Sequence, residues 1–131
     1  MPTTARSRLL HALALIGILL VAVFLHFYRL DQEGYANLYY AAAVKSMLTS
    51  WHNFFYVSFD SNGFVAVDKP PLGLWFQAAS ALLFGFSGWS LLFPQALAGV
   101  LSVALLYHLV RRVFGPRAAL VAALVLALTP I

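Results

Sequence analysis

The sequence contains no cysteine among its 131 residues, so it offers neither a disulfide framework nor a thiolate metal site, and its redox compartment cannot be read from thiols. Charge is almost as scarce. Only 9% of the residues are Asp, Glu, Lys or Arg, against about 25% in an ordinary soluble domain. With 63% hydrophobic residues and a mean hydropathy of +0.87, the composition is that of a membrane protein.

Acids are the rarest chemistry of all. Asp31, Glu33, Asp60 and Asp68 all fall in one window, between the first apolar run and a double proline. The net charge of +4 does not point to nucleic acid, because the basic residues stand singly or beside apolar runs rather than on one polar face. Outside the acidic window the only charges are Arg6, Arg8, Arg111, Arg112 and Arg117, the kind of bias that sets membrane orientation.

What is present in quantity is apolar sequence. Leu9 to Tyr28 is a 20-residue run, about 30 Å long as a helix and matched to a bilayer core, and it is read as a first span over residues 9–28. A signal peptide would have a shorter apolar region, about 7 to 15 residues, and a small-residue cleavage site, whereas this run ends in Phe24, His26, Phe27 and Tyr28. His11 and His26, near its two ends, fit interfacial placement.

Residues 29–89 are read as an outer loop. Within it, residues 34–51 predict an amphipathic helix, with Tyr40, Ala43, Val44, Met47, Leu48 and Trp51 on one stripe and Asn37, Ala41 and Lys45 on another. The aromatic cluster Trp51 to Phe59 suits headgroup depth, Ser61-Asn62-Gly63 signals a turn, and Phe64 to Val67 reads as short and extended. Residues 71–86 form a further apolar run near the lower limit for a span. If it crossed, Arg111, Arg112 and Arg117 would fall on the opposite side from Arg6 and Arg8, so it is read as a second interfacial helix. A second span over 90–112 follows, then an incomplete span over 117–131, which suggests the amino-terminal part of a longer protein. The expected architecture is therefore all-α and integral to the membrane. It has an amino terminus in the cytoplasm and two interfacial amphipathic helices in the first outer loop.

The stretch Val67-Asp68-Lys69-Pro70-Pro71 carries the most specific chemistry. Consecutive prolines fix φ and push Lys69 out of the helical region, so Asp68 and Lys69 are held extended ahead of an apolar helix. A lysine held at an interface is a point-charge ligand for phosphate, and an adjacent carboxylate is a ligand for a divalent cation. Asp31 and Glu33 are candidate general bases for a hydroxyl, or else acids at the dipole of the helix that follows. Asp60, beside Ser61-Asn62-Gly63, reads as a turn residue. His52 has no second histidine at ligand spacing.

Three segments, Asn37 to Met47, Ser50 to Phe55 and Val67 to Trp75, resemble the amino-terminal part of bacterial polytopic glycosyltransferases of the GT-C class. That group is family 39-like, related to the protein O-mannosyltransferases and the lipid A aminoarabinose transferases. The likeness continues through Phe93 to Val100 and Val110 to Gly115. It implies an enzyme of the cell (inner) membrane that transfers a hexose or pentose from a polyprenyl-phosphate carrier to an acceptor, whose identity is open, on the outer face. It also implies that Asp68 and Lys69 lie at the carrier phosphate, with Asp68 as ligand to a divalent metal in some members. One departure stands out. Where relatives commonly carry an Asp-Glu pair, this chain has Ala36 and Asn37, which leaves these readings open: Asp31 or Glu33 replaces the base from just upstream, or Asn37 only hydrogen-bonds substrate, with an acid beyond Ile131 needed as well. The alternative reading is a non-catalytic truncated membrane protein or small membrane subunit. A transporter fragment fits less well, since the acids cluster outside the spans.

Overall fold

The computed structural model describes residues 5–129, and within these the chain is helical. Five α-helices run in the order α1 (Ala5–Phe27), α2 (Leu38–Met47), α3 (Trp51–Tyr56), α4 (Pro71–Phe84) and α5 (Gly88–Leu128), with a 3-10 turn at Leu30–Glu33. Among the described residues the only β pairing is one antiparallel bridge, Ser58 to Ala66. The expectation of an all-α membrane protein holds: α1 with the turn after it, and α5, are both long and apolar enough to cross a bilayer. The chain divides into two compact units, one of Met1–Tyr28 with Ala96–Ile131 and one of Arg29–Gln95.

In the first unit, α1 buries only Ala22 and exposes Leu9, Leu13, Leu20 and Phe24, a surface suited to lipid rather than water. His11 and His26 are tied down locally, each ring Nδ1 lying within hydrogen-bond distance of the carbonyl four residues back, Ser7 O at 2.6 Å and Ala22 O at 2.8 Å. The 41 residues of α5 amount to about 60 Å of helix, twice a bilayer core of about 30 Å. A break solves that mismatch. Gly115 takes φ 83° and ψ 175°, a region open essentially to glycine alone, and Pro116 then sits at the start of a new helical segment. Beyond the break, Ala119, Ala123 and Ala127 recur every fourth residue. With Ala22, Val103 and Tyr107 they make one buried cluster, whose small side chains let helices approach closely. The stretch read as an incomplete span over 117–131 is helical to Leu128; residues 130 and 131 lie outside the described residues.

In the second unit, the amphipathic helix expected over 34–51 is shortened to α2, Leu38–Met47, and a separate helix, α3, begins at Trp51. Gly34 and Ala36 have positive φ, of 59° and 54°, so α2 starts only after Asn37, whose Oδ1 accepts from the backbone N–H groups of Tyr39 and Tyr40 at 3.0 and 3.3 Å. The helix stops at Met47, and Ser50 opens α3 by accepting from Asn53 N–H at 3.1 Å. That interruption turns Trp51 off the apolar stripe that sequence periodicity gave it: it is 76% exposed, while Ala43, Val44 and Met47 are buried. α4 packs the face of Leu74, Ala78 and Ala81 into the same core, and Trp75 Nε1 donates to Phe54 O at 2.9 Å. Its 14 residues make about 21 Å of helix, short of a bilayer core.

Between α3 and α4 the chain folds back on itself. Val67 N–H donates to Val57 O at 3.0 Å, and Asn53, 2% exposed, gathers the loop through its Nδ2, which donates to Ser61 O at 3.0 Å and Thr49 Oγ1 at 3.1 Å. The start of α5 is closed by a reciprocal pair: Ser90 N–H donates to Ser87 Oγ at 3.2 Å, and Ser87 N–H donates to Ser90 Oγ at 3.1 Å.

Candidate functional site

Asp68 and Lys69 sit immediately before the head of α4. Pro70 takes φ −54° and ψ 134°, Pro71 is the first helical residue, and no side chain caps this end. Proline has no N–H, so the first free backbone donors of α4 are those of Leu72 and Gly73. Lys69 Nζ lies 3.5 Å from Asp68 Oδ2, with the side chains 52% and 74% exposed. An ion pair that open contributes about 0–1 kcal/mol, so the fold does not depend on it. Both groups remain accessible to a ligand.

Asp31 and Glu33 lie in the 3-10 turn, exposed, and neither carboxylate forms a hydrogen bond or ion pair with another described residue. They do not cap α2, because Asn37 does. The structure therefore leaves both carboxylates without a structural task, and it makes no direct bond between them and Asp68 or Lys69.

Asn37 has a second position of interest. Besides capping α2, it lines a cavity of about 60 Å³, together with Tyr35 and Tyr40, Gln77 from α4, and Leu91 and Gln95 from the start of α5. Ala36, the other position where the family likeness leads one to look for an acid, also lines it. Neither Gln77 nor Gln95 carries a site role in the sequence analysis. The available signal was a lone amide in the otherwise apolar run of α4.

Asp60 is the turn residue expected of it. Its Oδ1 accepts from Val65 N–H at 2.7 Å, and its Oδ2 from Asn62 and Phe64 N–H at 3.1 and 3.2 Å. These donors, Val65 first, hold its carboxyl below the usual carboxylate range. It is occupied in building the loop.

The donor set does not fit a metal held by this chain alone. Among the described residues no group of three His, Cys, Asp or Glu side chains converges. The neighbour of Asp68 is a lysine, which repels a cation.

Comparison with known proteins agrees with the sequence resemblance. Residues 68–131, just under half of the chain, match the family model "Dolichyl-phosphate-mannose-protein mannosyltransferase". Two Bacillus subtilis proteins are similar over nearly the whole chain. "Putative mannosyltransferase YycA" is 62% identical across 90% of this chain, and "Putative mannosyltransferase YkcB" is 52% identical across 91%. An "Uncharacterized protein" of Aquifex aeolicus is 32% identical across 86%. This chain spans 17% of the length of each Bacillus protein and 23% of the Aquifex one. No solved structure matches. The likeness these comparisons support, carried by part of the chain, is to a membrane glycosyltransferase of the GT-C-like kind.

Proposed function

We propose that this chain supplies the carrier-phosphate half of a glycosyltransferase site, in a protein that moves a sugar from a polyprenyl-phosphate donor to an acceptor hydroxyl at the outer membrane face. The observation that carries this reading is the exposed Lys69 ammonium, set beside the uncapped head of α4. A cation and free helix N–H groups together favour a phosphate oxygen. The names of the Bacillus relatives support glycosyl transfer, and the placement of Arg6, Arg8, Arg111, Arg112 and Arg117 supports a cytoplasmic amino terminus with the acidic window outside.

In the reaction so proposed, the acceptor oxygen attacks the anomeric carbon and the bond from that carbon to the phosphate oxygen breaks. The departing phosphate takes the electron pair and is stabilised by Lys69. The acceptor's proton passes to a carboxylate, for which Asp31 and Glu33 are the candidates in this chain. Asp68 orients Lys69. Any divalent cation would have to draw its other ligands from substrate or from elsewhere in the protein, and no step is assigned to one.

The test uses the full-length protein with a radiolabelled polyprenyl-phosphate mannose. Lys69→Ala is expected to lower transfer about tenfold to a hundredfold while membrane insertion, read by alkali resistance, is kept. Full turnover by an inserted Lys69→Ala protein would overturn the assignment.

A further inference from the structure

The amide of Gln77 is out of place. It lies on the packed face of α4 with Leu74, Ala78 and Ala81, it is only 7% exposed, and it forms no hydrogen bond to another described residue. A buried amide left without partners costs about 1–3 kcal/mol, and an apolar side chain in its place would avoid that cost. Its position in the wall of the cavity supplies the reason.

The space has a definite chemistry. Asn37 and Gln95 add two further amides, Tyr35 and Tyr40 add rings, and among the described residues no charged side chain lines it. Primary amides donate and accept at once, which matches adjacent hydroxyls that do the same, and tyrosine rings offer flat apolar faces. About 60 Å³ holds roughly four waters, or one hydroxyl-bearing edge of a sugar ring rather than a whole lipid or nucleotide. A neutral lining disfavours a charged sugar, because nothing in it would pair with the charge. Gln77 and the phosphate pair are linked through the same helix. Gln77 follows Lys69 by eight residues, with Pro70 and Pro71 between, which puts it about 10 Å along α4 from the helix head.

We infer that this cavity is a subsite for the hydroxyl edge of a neutral hexopyranose, read chiefly by Gln77. The inference rests on the glycosyl-transfer reading for the source of the sugar, but its recognition chemistry does not involve Lys69.

The test is saturation-transfer NMR on the detergent-solubilised full-length protein, with methyl α-mannopyranoside, which carries no phosphate, as the probe. Transfer signals are expected with the wild-type protein and with Lys69→Ala, and signals at least threefold weaker with Gln77→Leu of unchanged melting temperature. Should Gln77→Leu fail to fold, Gln95→Leu, at the exposed rim, provides the same comparison. Equal signals from wild type and the amide variant, or none from either, overturn the subsite and mean that the cavity holds only water. Loss of the subsite with Lys69-dependent transfer intact leaves the phosphate reading standing. Hexoside binding in a protein whose transfer ignores Lys69 refutes the phosphate reading instead.

Discussion

Gly88 lies against the backbone carbonyl of Gly34 with no room between them for a Cβ. Gly34 takes φ 59° and ψ −135°, and the next residue, Tyr35, stacks on Phe86 with ring centroids 5.3 Å apart. The loop before α2 is thus seated on the start of α5, and that seating forms one wall of the amide-lined cavity. Gly88→Ala forces the two backbones apart. The expected cost is about 1–3 kcal/mol, read as a lower melting temperature in detergent, with the hexoside signal weakened in the protein that remains folded.

Asn37 lines the cavity and also caps α2, and three substitutions test the cap. Asn37→Ala removes the cap and is expected to cost about 0.5–2 kcal/mol of stability. Asn37→Asp keeps an acceptor for Tyr39 and Tyr40 N–H, so its melting temperature is expected near wild type. Asn37→Ser, also a good cap, is expected to match it in stability. If Asn37→Ala melts with wild type, the cap contributes nothing.

Asp60 gives the outer-loop unit a pH dependence of predictable sign. Its folded pKa lies below the ordinary value of 3.8, because three backbone N–H groups favour the carboxylate. The stabilisation is therefore fully present above about pH 4 and is lost as pH falls through the lower, folded pKa. Hydrogen exchange at Val65 N–H, compared between wild type and Asp60→Asn, is the measurement. Protection in the wild type is expected to fall at acidic pH, and Asp60→Asn is expected to be weak at every pH with no acid limb.

Gly115 divides α5 at a conformation that side chains resist. Gly115→Ala is expected to cost about 1–3 kcal/mol, with the helix straightening or the Ala119, Ala123 and Ala127 packing loosening. Circular dichroism at 222 nm during heating tests this. A melting curve identical to wild type would show that the break is unstrained.

Much of the fold was legible because it follows from composition and punctuation. The run ending at Tyr28 announces a helix boundary through hydropathy, and the prolines ahead of Leu72 and the Gly115-Pro116 pair do so through backbone sterics that need no tertiary context. The division of residues 34–51 was not legible. Periodicity carried Trp51 on one continuous stripe, because a cap made by Ser50 two residues after the apolar pattern leaves no gap in that pattern. Asp68 and Lys69 could be picked out by their rarity and by their place before two prolines. Gln77 stood out only as a lone amide in an apolar run, and its meaning depends on Asn37 and Gln95 being brought around it by α2 and α5, a coincidence in space that spacing along the chain does not encode.

The central claim is that Lys69 meets a phosphate, and the measurement nearest to it is the kcat/KM of the full-length protein for its lipid-phosphate donor, with Lys69→Ala and Lys69→Arg compared in parallel. Loss of one charge-assisted contact predicts a fall of about tenfold to a hundredfold for Lys69→Ala, and substantial recovery for Lys69→Arg, which restores the cation. Values for Lys69→Ala equal to wild type, in protein shown to be inserted and folded, would contradict the account.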